Sequence, residues 1–175
     1  MKVLKHYKNG NYTVSIYEDG TKIRRTEFDE FVPDFPENID MKISDRCDIG
    51  CNFCHENSTE YGKLAHFNHK FLNTLKAGTE IAYGGGNIFE NKEFEQALIF
   101  CKERGIYANI TIHQIHALRN IELLSRWINE GLVNGVGISY NKDYTQMNDI
   151  FTILESNKVK TSNIVIHTIN GVHNY

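Results

Sequence analysis

The first part of the chain alternates apolar and polar residues with a period of two, which is the pattern of a half-buried β-strand. Residues 12–17 (YTVSIY) follow this pattern, residues 18–20 (EDG) supply a turn, and residues 21–26 read as a return strand. Both prolines of the chain lie within residues 31–36, as expected of a linker. These patterns predict an N-terminal β-hairpin and linker over residues 1–36.

A different pattern begins after this linker, where apolar, strand-like runs alternate with segments of helical period. The predicted strands cover residues 39–43, 79–83, 107–113, 133–140 and 162–169, and the predicted helices cover residues 68–76, 94–104, 121–129 and 147–155. From the second strand onwards, strands recur roughly every 28 residues, the length of one βα unit. Such alternation predicts an α/β fold with a parallel sheet, either an open doubly wound sheet or part of a β/α barrel.

The length of the chain excludes a complete β/α barrel. A complete eight-stranded β/α barrel takes ~250 residues, whereas this chain has 175. The chain therefore cannot close such a barrel by itself, which leaves an open or partial barrel, a shortened form of one, or an incomplete chain. We expect a partial (open) parallel β/α barrel of about five to six strands over residues 37–175, preceded by the N-terminal β-hairpin. The hairpin would either cover the open side of the barrel or dock a partner.

Composition and charge argue against several classes of protein. Hydrophobic residues make up 41% of the chain, enough for a folded core, and the formal net charge of −3 gives no general attraction to nucleic acid or to an acidic membrane surface. No stretch approaches the ~18 consecutive apolar residues of a membrane span, and the N-terminus lacks the apolar segment of a signal peptide. The chain is therefore expected to be cytoplasmic, with neither nucleic acid nor membrane as a partner.

Four cysteines in a reducing compartment favour metal or redox chemistry over disulfides. Cys47, Cys51 and Cys54 follow the first strand of the main domain with the spacing C-x3-C-x2-C. Thiolates are soft ligands that select iron–sulfur clusters, zinc or copper(I), and a structural zinc site normally needs four ligands. The fourth cysteine, Cys101, falls on the apolar face of a predicted helix and is expected in the core. The spacing therefore favours an iron–sulfur cluster with one open iron; structural zinc and unligated cysteines are the alternatives.

The cysteine loop and a glycine-rich turn together resemble one known superfamily. Phe53 directly precedes the last cysteine of the motif, and the second strand of the main domain ends in Gly84-Gly85-Gly86, followed by Asn87. In this context the C-x3-C-x2-C motif resembles the radical S-adenosylmethionine (radical SAM) superfamily, whose glycine-rich turn is typically Gly-Gly-Glu-Pro. Gly86 and Asn87 stand where that superfamily usually has Glu and Pro.

This resemblance implies a role for each of these residues. Cys47, Cys51 and Cys54 would bind three irons of a 4Fe-4S cluster, and SAM would bind the fourth iron. Phe53 would lie against the adenine of SAM. The backbone of residues 84–86 would approach the methionine amino group, which a Cβ atom would obstruct; a flexible strand-to-helix turn is the alternative. An electron from a reduced flavodoxin or a ferredoxin-type donor would then produce the 5′-deoxyadenosyl radical.

Polar residues at the ends of later strands are further candidates, because the carboxyl ends of the strands form the active site of β/α barrels. Ser139 ends the fourth predicted strand, where the superfamily often places a polar group on SAM, and His167 lies on the fifth, where it often has an Asn. His113 ends the third strand and would face SAM or substrate. The alternatives are a capping hydroxyl for Ser139, a rim residue for His113 and a core position for His167. His116 is expected on the surface of a loop.

The resemblance predicts a radical SAM enzyme that abstracts hydrogen from a substrate, either a small molecule or a protein. Residues 54–57 (CHEN) and the length of the chain also resemble activases of glycyl radical enzymes, so an activase is one alternative. The other is a non-catalytic iron–sulfur or zinc-binding protein on a truncated scaffold.

Overall fold

The structure, a computed structural model, describes residues 2–67, 69–169 and 171 of the chain. An antiparallel sheet consists, in spatial order, of β1 (Val3–Asn9), β2 (Tyr12–Tyr17) and β3 (Lys22–Thr26). A parallel sheet consists, in spatial order, of β4 (Asn38–Ser44), β5 (Glu80–Gly85), β6 (Tyr107–His113), β7 (Gly135–Ser139) and β8 (Ile164–His167). The helices are α1 (His69–Thr74), α2 (Phe94–Glu103), α3 (Gln114–Arg119), α4 (Ile121–Asn129) and α5 (Tyr144–Ser156).

The predicted α/β class and the parallel sheet are confirmed, with differences in two strands. The predicted N-terminal hairpin is β2 and β3, but β1 adds a third strand that pairs antiparallel with β2. Most residues of β1 are exposed, and its lysines and histidine obscure the apolar alternation that marks a strand. At the other end, β8 is shorter than predicted, because Thr161–Asn163 form a 3-10 turn before it.

The helices also differ from the prediction in two places. The first predicted helix is α1, which is shorter than residues 68–76; residue 68 lies outside the described residues. The helix α3 was not predicted, and it follows β6 directly, with His113 as its N-cap residue. Even α5, with 13 residues, is short, and no helix in the described part of the chain has the length and apolar character to cross a membrane.

The parallel sheet has one apolar face and one polar face. Ile81, Ile110 and Ile138 belong to the same buried cluster as the apolar sides of α2, α4 and α5, and this cluster includes the expected core residue Cys101. Successive residues of a strand point to opposite faces, and Thr111, next to Ile110, is exposed. Among the described residues, the helices therefore cover one face of the sheet and leave the other face uncovered.

The N-terminal sheet packs against the amino ends of the parallel strands. Glu37, the residue before β4, is only 8% exposed, and its carboxylate accepts hydrogen bonds from Tyr12 and Arg24. Lys22 of β3 pairs with Glu80, the first residue of β5. The N-terminal sheet thus occupies the amino end of the parallel sheet and leaves the carboxyl end, where the predicted site lies, to other elements.

Candidate functional site

The cysteine loop leaves the carboxyl end of β4 and is closed at its base by backbone hydrogen bonds. Ala65 N donates to Ile43 O at 3.0 Å, Thr59 N donates to Asp45 O at 3.0 Å, and Cys47 N donates to Thr59 O at 2.9 Å. These bonds join the outgoing and returning arms of the loop. The segment that carries the cysteines is therefore the tip of a closed loop, held next to the end of the strand.

The tip of the loop is folded into consecutive turns. Cys54 N donates to Cys51 O at 3.1 Å, and Gly50 has a positive φ of +66°, a conformation that favours glycine. All three thiols of the motif are partly buried. Burial raises the pKa of the Cys47 thiol. Burial also raises the pKa of the Cys51 thiol, and the neighbouring Cys47 and Cys54 raise it further. Thiols held this way become thiolates most readily when a cationic centre binds them.

One cavity of about 540 Å³ lies at the carboxyl ends of the parallel strands. It is lined by every residue predicted to bind metal or cofactor, namely Cys47, Cys51, Phe53, Cys54, Gly84, Gly85, Gly86, His113, Ser139 and His167. Asp40 and Lys42 of β4 and Ser58 of the cysteine loop also line it, although their sequence context did not mark them. The Ser58 hydroxyl is buried and has no hydrogen-bond partner among the described residues.

The three glycines at the carboxyl end of β5 have different structural reasons for being glycine. A Cβ atom on Gly85 would lie 2.3 Å from Ser44 O, and one on Gly86 would lie 2.1 Å from Arg46 O. The end of β4 and the start of the cysteine loop therefore approach too closely for a side chain at either position. A Cβ atom on Gly84 would meet no atom of the described residues within 4 Å, and Gly84 lines the cavity. Protein packing does not require glycine at this position, whereas close approach of a ligand to the backbone would.

The departures from Gly-Gly-Glu-Pro also follow from contact with the cysteine loop. Gly86 N donates to Ser44 O at 2.7 Å, and Asn87 N donates to Arg46 O at 2.6 Å. A Glu at position 86 would bring a Cβ atom into Arg46 O, and a Pro at position 87 has no N–H to donate. In this chain the turn is thus bonded through its backbone to the start of the cysteine loop.

The ends of β7 and β8 bring Ser139 and His167 to neighbouring positions at the cavity. A Cβ atom on Gly137 would lie 2.4 Å from the His167 ring, so this glycine leaves space for the ring over β7. His167 is exposed, and the alternative of a core histidine is therefore wrong. The side chain that caps α5 is Asp143, which accepts a hydrogen bond from Gln146 N, so a helix-capping role for Ser139 is not needed.

His113 at the end of β6 is half-buried and lies opposite Ser139 of β7. Its Nδ1 accepts a hydrogen bond from Ile115 N at 3.2 Å, which caps α3 and leaves the proton of the neutral ring on Nε2. Burial lowers the pKa of His113, and the neighbouring His116 lowers it further. A neutral imidazole at the cavity wall can orient a ligand by hydrogen bonding without adding a charge.

The spacing of the ligand atoms separates two kinds of metal centre. Three thiolates on one zinc ion, each at ~2.3 Å, would bring their sulfurs to ~3.8 Å from one another. Within the described residues, the group whose ligand atoms all lie within 4.8 Å of one another is Cys47, Asp48 and His116, not the three cysteines. The three cysteine sulfurs are therefore not all within 4.8 Å of one another, whereas three thiolates on one zinc ion would be.

His116 was expected on the surface, and this expectation is wrong. The ring is 1% exposed, and its Nε2 lies 2.8 Å from Asp48 Oδ1. The other Asp48 oxygen pairs with Arg119, so both carboxylate oxygens already have partners. The hydrogen bonds from His116 and Arg119 lower the pKa of Asp48 to about 2. The position of His116 was mistaken because its helix, α3, resembles a loop in sequence.

No family model matches this chain, and neither the curated proteins nor the solved structures include a match to it. A functional assignment therefore depends on the geometry and chemistry of the cavity.

Proposed function

We propose that this chain is a radical SAM enzyme that binds a 4Fe-4S cluster through Cys47, Cys51 and Cys54. The observation that carries the proposal is the convergence of all the predicted site residues on one cavity of about 540 Å³ at the carboxyl ends of the strands. The members of this set come from the cysteine loop and from the ends of four different strands. A volume of this size falls in the range of small-molecule sites.

We also propose that the parallel sheet is an open segment of a β/α barrel. The strands follow chain order, and the buried cluster with the helices lies on one face. A doubly wound sheet reverses its strand order and carries helices on both faces, whereas a barrel does neither. In a barrel segment, the uncovered face would be the inner face, and the cavity would lie at its catalytic end.

The residues present fit the proposed cofactors. Three partly buried thiols provide soft ligands, and their sulfurs are not all within 4.8 Å of one another, as three thiolates on a single zinc ion would be. Among the described residues, no atom fills the space beside Gly84, and the Ser58 hydroxyl has no hydrogen-bond partner. When bound, a reduced cluster supplies the electron that cleaves SAM to methionine and a 5′-deoxyadenosyl radical.

The chain's own residues would bind and orient SAM and the substrate. The backbone at Gly84 would accommodate the methionine amino group, Phe53 would lie against adenine, and His113, Ser139 and His167 would provide hydrogen bonds along the strand ends. A reduced flavodoxin or a ferredoxin-type protein would donate the electron, as expected of a cytoplasmic enzyme. The substrate, a small molecule or a protein, would approach the open face.

Anaerobic reconstitution with iron and sulfide tests this proposal. We expect a 4Fe-4S absorption and paramagnetic resonance spectrum, together with dithionite-dependent formation of 5′-deoxyadenosine from SAM. Buffer containing cluster and SAM without protein is the control for non-enzymatic cleavage. A stable cluster that never cleaves SAM would contradict the enzymatic proposal.

A second candidate function is metal binding without catalysis, and it is favoured by one specific observation. Cys47, Asp48 and His116 have ligand atoms within 4.8 Å of one another, close enough to bind a single ion. That site would require Asp48 to exchange its bonds with His116 and Arg119 for a metal. Binding of one equivalent of zinc, with no cluster formed under reconstitution, would support this candidate and exclude the first.

A further inference from the structure

The cysteine loop is joined to a distant part of the chain by three charged or polar side chains. Asp48, directly after the first cysteine of the motif, bonds His116, which is 68 residues away, and Arg119, which is 71 residues away. His116 is almost fully buried in α3. We call this set of Asp48, His116 and Arg119 the loop clamp. A buried histidine bonded to a carboxylate is a defined connection rather than a chance surface contact.

The position of the clamp connects two parts of the candidate site. α3 begins directly after His113, so the clamp joins the loop at Cys47 to the end of β6. On its other side, the loop tip is held by Lys42, whose Nζ donates to Glu56 O at 3.0 Å and lies 2.9 Å from Glu56 Oε2. The clamp therefore joins the loop after β4 to the helix after β6, two strands away in the sheet, whereas the Lys42 contact stays next to β4, the strand that the loop follows.

We propose that Asp48, His116 and Arg119 are positioning residues that hold the first ligand cysteine in register with the end of β6 and balance the charge beside the cluster. The inference rests on the proposed function, because it assigns the clamp a task for the cluster at Cys47. Asp48 contributes a negative charge one residue from Cys47, and Arg119 contributes the positive charge that compensates it. Local net charge and hydrogen bonding are among the factors that set the reduction potential of a cluster.

The mechanical part of the proposal is tested without any cluster. Hydrogen exchange of residues 47–59 in the metal-free full chain should become roughly tenfold faster in Asp48→Ala and in His116→Leu, because each loses a charge-assisted hydrogen bond. His116→Gln keeps a donor and should restore much of the protection. Arg126→Gln breaks a surface ion pair with Glu95 on another part of the protein and should leave this segment unchanged. Wild-type exchange in both clamp variants would overturn the proposal.

The electrostatic part is tested on reconstituted protein by potentiometric titration. Asp48→Asn removes a negative charge and should raise the reduction potential of the cluster, while Arg119→Gln removes a positive charge and should lower it. Shifts of opposite sign distinguish charge balance from mere loosening of the loop. Arg119 is 56% exposed, so its variant should fold even if Asp48→Asn does not. No shift, or a rise in potential in Arg119→Gln, would overturn the charge-balance role.

The two arms also separate this inference from the proposed function. If wild-type protein never assembles a cluster, the proposed function fails, and the exchange experiment still decides whether the clamp holds the loop. If the cluster assembles with wild-type properties in every clamp variant and the loop exchanges normally, the clamp proposal fails while the proposed function stands.

Discussion

The two ends of the parallel sheet differ in whether their polar side chains have hydrogen-bond partners within the protein. At the amino end, the N-terminal sheet buries Glu37 and satisfies its carboxylate with Tyr12 and Arg24. At the carboxyl end, Cys47 and Cys51, whose thiols have raised pKa values, line a cavity together with Ser58, whose hydroxyl has no hydrogen-bond partner in the part of the chain that the structure describes. Groups that are satisfied within the protein stabilise the fold, whereas groups that lack a protein partner cost stability and are available to a ligand. Under the proposed function, the same strands would serve stability at one end and chemistry at the other, as the strands of β/α barrels do.

The strongest test of this difference removes the proposed ligands one at a time. Cys47→Ser, Cys51→Ser and Cys54→Ser should each lower iron content and 5′-deoxyadenosine formation by more than about 90%, because serine is a poor ligand for a cluster that needs soft thiolates. Metal-free stability, measured by urea unfolding, should change little. The matched control is Cys101→Ala, which lies in the core and should lower stability while the iron content stays at the wild-type level.

If instead all four cysteine variants bind iron equally well, the cysteine loop is not the metal site. The division of the sheet into a stabilising end and a chemical end would then lose its main support.

A second test separates packing from ligand binding within the cavity itself. Gly86→Ala should destabilise the protein by about 3 kcal/mol, because the new Cβ atom would lie 2.1 Å from the backbone oxygen of Arg46. Gly84→Ala should leave stability within about 0.5 kcal/mol of wild type, because in the described part of the chain no atom lies within 4 Å of the new Cβ atom. The same Gly84 variant should bind SAM roughly tenfold more weakly once reconstituted.

Thermal unfolding of the metal-free variants and calorimetric titration with SAM measure the two effects. Wild-type SAM affinity in Gly84→Ala would show that the space beside this glycine does not receive the cofactor.

The third test addresses the amino end. Glu37→Gln should lower the free energy of unfolding by about 1–2 kcal/mol, because the buried Glu37 side chain exchanges charge-assisted hydrogen bonds with Tyr12 and Arg24 for neutral ones, while Arg24 is 39% exposed and stays partly solvated. Chemical denaturation measures the loss. The folded variant should still assemble the cluster and cleave SAM like wild type, since Glu37 lies at the opposite end of the strands. Loss of cluster assembly at full folding would contradict a purely stabilising role for this end.

The difference between the ends also explains what could be predicted from the sequence. The candidate site at the carboxyl end consists of a sequence motif, Cys47–Cys54, and of residues such as His113 and Ser139 that lie at the ends of strands. Both kinds of residue can be predicted from local sequence patterns. Parallel pairing then brings the strand ends to the same edge. The α/β class and the five strands follow from the same periodicity, because it depends only on neighbouring residues.

Features that depend on contacts distant in sequence were missed. The strand β1 has mostly exposed residues, so its apolar alternation is weak, and its pairing with β2 decides its conformation. His116 forms its bond with a residue 68 positions away, and no local pattern reports such a contact. The different structural reasons for glycine at positions 84 and 86 likewise follow only from the position of the cysteine loop in the folded protein.

The smallest expected effect, a dependence of stability on pH, tests whether the amino end is held by charge. Burial alone would raise the pKa of Glu37, but hydrogen bonds from Arg24 and Tyr12 outweigh it, and the pKa is lowered. A carboxyl group with a lower pKa in the folded state contributes stability above its unfolded pKa, about 4.3, and this contribution is lost as the pH falls through the folded pKa. Between pH 7 and pH 3, the free energy of unfolding should therefore fall more in wild type than in Glu37→Gln.

Urea unfolding of the metal-free protein at a series of pH values measures this difference without interference from a cluster. Glu103→Gln, which removes a charge from an exposed position, is the matched control and should follow wild type. Parallel curves for wild type and Glu37→Gln would mean that apolar packing, not the Glu37 carboxylate, holds the N-terminal sheet on the strands. The amino end would then be stabilised mainly by the apolar cluster of Tyr12, Val14 and Ile16. The two ends of the sheet would differ because one is apolar and the other polar, not because the charged groups of one end are paired.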